Sequence, residues 1–192
     1  MSKFQLQKIA NILNYNNLLI GNSRFTDDVW NLTEFIVLKT ITDYFKKIHF
    51  SYIKNEDIKL TAKLYAYNKL GTIKPQTVVK RIISDLRPFI KYAELNNINS
   101  FKEINKEIFI SFLYWLKNDY VIEYGKKKGQ HIRNRTGYKF SFVVEEIIKL
   151  GQKNDWNVPQ ENIFVHIASF NFWSAEKETS TAKTMPIPED IF

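Results

Sequence analysis

Apolar positions change their spacing along this chain near residue 56. Before that point they come as short β-branched or aromatic pieces: Leu18-Leu19-Ile20, Val29-Trp30-Asn31-Leu32 and Phe35-Ile36-Val37-Leu38. Polar stretches such as Gly21-Asn22 and Arg24-Phe25-Thr26-Asp27-Asp28 separate them. This pattern predicts a small strand-containing region or arm over 1–55, closed by Lys46 to Tyr52. From about Asp57 the period becomes helical. Leu60, Leu64, Tyr67 and Leu70 recur three or four apart, and Gly71 offers a stop. A second helix opens at Lys74-Pro75-Gln76-Thr77, where proline suits a first turn. Val78, Val79, Ile82, Ile83, Leu86, Phe89, Ile90 and Ala93 then trace one apolar face. Pro88 falls inside that stripe, which stays in phase across it, so a kink is expected rather than two separate helices.

Asn96 to Ser100 reads as a loop. A third helix starts near Asn105 and buries Ile108, Phe109, Phe112, Trp115 and Leu116. A fourth runs from about Thr136 to Lys153, with Phe140, Val143, Val144, Ile147 and Ile148 inward, and Asp155 to Pro159 closes it. Phe164 to Trp173 is apolar without either period and reads as a strand or an extended strap. The polar run Ser174 to Lys183 reads as a linker into the proline-punctuated Met185 to Phe192. The expected fold is mainly α: a four- to five-helix bundle over 56–173, preceded by the strand-containing region and followed by a linker over 174–192.

Composition removes several function classes. The chain has no cysteine, which rules out disulfides and thiolate metal sites and suits a reducing cytoplasm. Met1 to Ala10 lacks the apolar stretch of a signal peptide, and no run of about 18 apolar residues exists, so no membrane partner is expected. His49, His131 and His166 are scattered without ligand spacing. There is no Gly-x-Ser-x-Gly elbow, and the six glycines build no phosphate-cradling loop. The adjacent carboxylates Asp27-Asp28 and Glu145-Glu146 point apart on a helix and read as solvated surface. Trp30, Trp115, Trp156 and Trp173 read as packing anchors. No cofactor, no metal and no small-molecule substrate is called for.

Charge is the informative feature. From Lys126 to Lys139 the chain reads KKKGQHIRNRTGYK, with six Lys or Arg and no acid. Without those six, 22 basic residues face 20 acidic ones, so most of the net charge of +8 is this one segment. Such a cluster favours a polyanion, nucleic acid first. Arg133, Arg135 and Lys139 sit at a helix start, with Thr136 as its expected cap, where free N–H groups and partial positive charge suit a phosphate. Lys126, Lys127, Lys128 and His131 lie on the approach and would add salt-sensitive attraction. Lys74, Gln76, Thr77, Lys80 and Arg81 form a second polar set, of which Gln76, Lys80 and Arg81 are expected outward from the Val78-Val79-Ile82 face.

The stretch from Ile58 to Phe164 resembles the SAM-like core-binding domain of tyrosine recombinases, the phage-integrase family. The residues that carry the resemblance are Lys74-Pro75-Gln76-Thr77 with Ser84 to Tyr92, Ile98 to Asn105, Phe112 to Leu116, and Arg133 to Ile148. Met185 to Phe192 is similar to that family's interdomain linker, so the resemblance implies a catalytic domain further on. In that family the helical domain and the catalytic domain clamp DNA, and the catalytic half supplies arginines, a lysine, a His-x-x-Arg motif and a tyrosine nucleophile. Here His131 is followed three residues later by Asn134, and no tyrosine can be assigned the nucleophile. The resemblance therefore implies binding of double-stranded DNA in integration and recombination, beside other recombinase protomers, without catalysis by these residues. Two rival readings stay open: a stand-alone helical DNA-binding regulator, and a module whose basic segment meets an acidic protein.

Overall fold

The computed structural model describes residues 15, 17–37, 40–165 and 169–174. Residues 1–14, Leu38, His166, the linker from residue 175 and the segment Met185 to Phe192 lie outside the described residues. Two short antiparallel pairs build the N-terminal region. β1 (Leu19–Ile20) and β2 (Ser23–Arg24) join across Gly21-Asn22, and β3 (Val29–Asn31) pairs with β4 (Lys47–His49). Trp30 stands directly opposite Ile48, so both side chains leave the ribbon on one face, and both are fully buried beside Phe50. The Trp30 indole N–H donates to the Phe25 carbonyl at 3.3 Å. Asp28 and the Thr26 carbonyl then hold this ribbon to the first helix, because Lys63 donates to Thr26 at 2.8 Å and Lys59 lies 3.4 Å from Asp28.

α1 (Glu56–Leu70) begins where Asn55 Oδ1 accepts from the N–H groups of Asp57 and Ile58. Its buried face differs from the expected leucine stripe. Ile58, Thr61, Ala62, Tyr65 and Ala66 are buried, while Leu60, Leu64 and Leu70 are half-buried and Tyr67 is exposed. The closest-packed face thus combines Ile58 and Tyr65 with small residues and the stem of Lys63, and leucines cover its flanks. Hydrophobic spacing favours the bulkier residues and misses that choice.

The proline-containing helix is continuous in path but not in type. α2 (Pro75–Lys80) passes into a π-helical turn, Arg81–Asp85, and then into α3 (Arg87–Leu95). The Leu86 N–H reaches back five residues to the Arg81 carbonyl at 2.8 Å, the mark of the wider turn. Pro88 cannot donate to the carbonyl of Ser84, and the wider turn places that defect in α3's first turn, where it costs least. Side-chain donors follow the loosened ladder: Tyr52 Oη donates to the Ile82 carbonyl at 2.6 Å, and Arg87 Nε to the Ile83 carbonyl at 3.2 Å. Tyr52 thereby ties the strand region to the helices.

α4 (Lys106–Asn118) is capped by Asn105, which accepts from the Ile108 N–H at 2.8 Å. α5 (Asn134–Lys153) is the central helix and packs against α1, α3, α4 and the π turn. The segment expected as a strand or strap ends instead in a short helix, α6 (Ser169–Ser174), docked on α5. The reason is a local fit: Trp173 lies against Gly137 and donates its indole N–H to Ser141 Oγ at 2.9 Å. One apolar cluster runs from Ile20 through Trp173 and takes in strands and helices together. Among the described residues no helix is long and apolar enough to cross a membrane.

Gly137→Ala should test the α5–α6 fit. An added Cβ would stand 2.3 Å from the Trp173 ring. Urea unfolding should show a loss of about 1–3 kcal/mol, as for other overpacked sites, with a red-shifted tryptophan emission. Unchanged stability would mean that α6 is not held through this contact.

Candidate nucleic-acid interface

The candidate interface begins from the ion pairs around α5. Glu146, expected as solvated surface, is instead the partner of three side chains from two segments, α1 and the π turn. Its Oε2 accepts from Tyr65 Oη at 2.6 Å and from Arg81 Nη1, and its Oε1 lies 2.6 Å from Lys69 Nζ. Arg81 Nη1 also donates to Tyr65 Oη at 2.9 Å. Burial and the bond to Glu146 push the Tyr65 hydroxyl pKa up, so it remains a donor. Glu145 is buried: it accepts from the Ser169 N–H at 3.0 Å and pairs with Lys149. Arg81, expected to face outward, is half-buried in this network and lies over the Phe142 ring.

The basic segment is not a plain loop. Val121 and His131 form an antiparallel bridge, and Ile122 N–H donates to the Gln130 carbonyl at 2.9 Å. Gly129 N–H returns to the Ile122 carbonyl at 2.8 Å, and Lys128 N–H to the Gly125 carbonyl at 3.1 Å. The result is a β-hairpin whose tip carries Lys126, Lys127 and Lys128. Gly125 and Gly129 bracket the tip with φ of 81° each, a left-handed conformation that favours glycine. Below the tip, buried Tyr120 packs on Trp115 and Phe140, Ile132 meets the core, and Glu123 pairs with Lys91 of α3. The hairpin base is therefore fixed and its tip is exposed.

Each expected interface residue can now be placed. Lys126, Lys127, Lys128, His131, Arg133, Arg135 and Lys139 are exposed, and none is paired with a carboxylate among the described residues. Thr136 is half-buried and is not the cap of α5. Arg133 holds that position, and its side chain makes no capping bond. Helix start and basic cluster thus coincide two residues earlier than expected. Lys74, Thr77 and Lys80 are exposed on α2 and Gln76 is half-buried. The fold brings part of this second set to the first: the charges of Lys80 and Lys139 both act on the Asp85 carboxylate. Lys74 stands about 9 Å further along the helix axis.

Asp85 and Tyr124, which sequence reasoning did not single out, lie beside the basic cluster. Asp85 is 8% exposed, on the π turn, and burial raises its pKa against the pull of Lys80, Lys139 and Arg81. Tyr124 is 69% exposed just before Gly125. Two glycines four apart around a triple lysine were the available signal for a hairpin tip carrying it. Among the described residues no grouping of His, Asp and Glu is placed to hold a metal ion. No family model, curated protein or solved structure matches this chain.

Two outcomes follow from these carboxylates. Glu146→Gln leaves Lys69 and Arg81 half-buried without their counter-charge and should cost about 2–3 kcal/mol in urea unfolding. A loss below the measurement error would show that the network does not place α5. For Asp85 the sign comes from its raised folded-state pKa. Its stabilising contribution is complete below the unfolded value near about pH 4 and is lost as pH rises through the folded value. Asp85→Asn removes that dependence, so its stability relative to the parent should be greater at pH 7 than at pH 4. A difference that stays flat between those pH values would refute the assignment.

Proposed function

We propose that this chain binds double-stranded DNA as the core-binding part of a site-specific tyrosine recombinase, with the hairpin and the start of α5 as its principal contact. The observation that carries the reading is the acid-free run from Lys126 to Lys139, whose six Lys and Arg all stand exposed. Phosphates are met by flexible lysines on the hairpin and by Arg133 and Arg135 at a helix start, where the macrodipole adds to their charge. Lys80 extends the surface toward α2. The mainly helical fold is consistent with a SAM-like bundle, and the sequence resemblance from Ile58 to Phe164 supplies the recombinase context. In that reading catalysis belongs to another domain, and other protomers are met on the DNA.

The test is a salt titration of binding to random-sequence duplex DNA. The parent should show a steep fall of log affinity with log salt. The triple variant Arg133→Ala, Arg135→Ala, Lys139→Ala should lower that slope by about 2–3, one step for each phosphate left without its cation. The control triple is Lys102→Ala, Lys106→Ala, Lys153→Ala, three exposed lysines. Lys153 ends α5, about 28 Å from its start, so the control should leave the slope nearly unchanged. Equal losses from both triples would mean that net charge alone drives binding. Absence of binding at low salt would remove the DNA reading and leave an acidic protein partner in its place.

A further inference from the structure

The tip of the hairpin carries an aromatic side chain beside its charge. Tyr124 is 69% exposed and precedes a turn whose side chains are all exposed through Gln130. A Cβ built on Gly125 or Gly129 would meet nothing within 4 Å, so the tip stands clear of the body. Its neighbouring acid, Glu123, is held by Lys91. The stem is short, with pairing between Val121 and His131 and between Ile122 and Gln130.

We infer that this hairpin is a wing that enters the minor groove of duplex DNA, with Tyr124 against the groove floor and Lys126, Lys127 and Lys128 on its phosphate rims. The inference rests on the DNA reading above. The minor groove, about 6 Å wide, admits single side chains from an exposed tip rather than the paired strands themselves, and Tyr124 with the three lysines supplies such side chains. The major groove, at about 12 Å, accepts a ribbon lying along it, and two paired positions per strand are too few to make one. Narrow A·T-rich minor grooves have enhanced negative potential, which three unpaired lysines would feel strongly. A tyrosine has an apolar body for the sugar walls and a hydroxyl that can donate to adenine N3 or thymine O2. The start of α5 follows the wing within three residues, so Arg133 and Arg135 meet the adjoining backbone.

The experiment measures binding of the full chain to labelled A·T-rich and G·C-rich duplexes, with and without netropsin as a minor-groove blocker. The parent should prefer the A·T-rich duplex by about fivefold, equivalent to roughly 1 kcal/mol, and netropsin should displace it. Tyr124→Ala should abolish most of that preference while leaving the salt slope in place. Lys126→Ala with Lys127→Ala and Lys128→Ala should lower the slope by about 2–3. Far-UV circular dichroism should be unchanged in both variants, since the substituted side chains are exposed. If the parent binds both duplexes equally, is indifferent to netropsin and still loses binding on substitution of Arg133, Arg135 and Lys139, the wing is wrong and the DNA reading stands. If the parent binds neither duplex at low salt, both fall together.

Discussion

A single carboxylate, that of Glu146, accepts from Tyr65 on α1 and Arg81 on the π turn while pairing with Lys69, and the arrangement of the helices depends on it. Charge-assisted bonds of this kind are stronger than neutral ones, and partial exclusion of water strengthens them further. Two cations and a hydroxyl around one carboxylate leave the junction net positive. The same network fixes the rotation of α5 relative to α2. Lys139 and Lys80 reach a common neighbourhood around Asp85 because Glu146, seven residues beyond Lys139 on α5, is already tied to Arg81.

The π turn is the second constraint. A regular helix through Arg81–Asp85 would have set Pro88 against an intact ladder. One extra residue in the turn accommodates the proline and re-aims α3 without breaking the apolar stripe. Its loosened carbonyls are met by Tyr52 and Arg87, with the Arg87 guanidinium 4.5 Å from the centre of the Tyr52 ring. Because Tyr52 follows β4, the strands are bound to the same place that sets the helices. Lys63 makes the complementary link from α1 back to Thr26.

The candidate interface combines a fixed foundation with an exposed working end. Tyr120, Ile132 and the Lys91–Glu123 pair hold the hairpin base, so the tip is presented in a defined place rather than on a free loop. The long lysines at the tip are exposed. The arginines lie on the more rigid first turns of α5. Under the proposed DNA reading, such a division suits sequence-tolerant attraction at one end and positional contacts at the other.

Most helices were legible from the sequence. The apolar stripes of α2 to α5 are long enough to show their period, and Asn105 marks a start by local chemistry. The strand-containing character of the first region, the burial of Trp30 and Trp173 and the basic run were legible for the same reason: each depends on composition within a few residues. Pairing across the chain was not. Glu145 and Glu146 looked like solvated neighbours because nothing local reveals that Lys69 and Arg81, more than sixty residues away, converge on one of them. Arg81 looked outward until its partner was in place. The buried face of α1 was misread because its alanines signal weakly, and α6 is helical because Gly137 and Ser141 offer Trp173 a seat. The sequence by itself determined which segments are helical from residue 56 to Lys153 and where charge gathers, since propensity and composition act over short distances. Only the tertiary structure decided which charges are free and which are bound, because that depends on distant segments meeting where water is partly excluded.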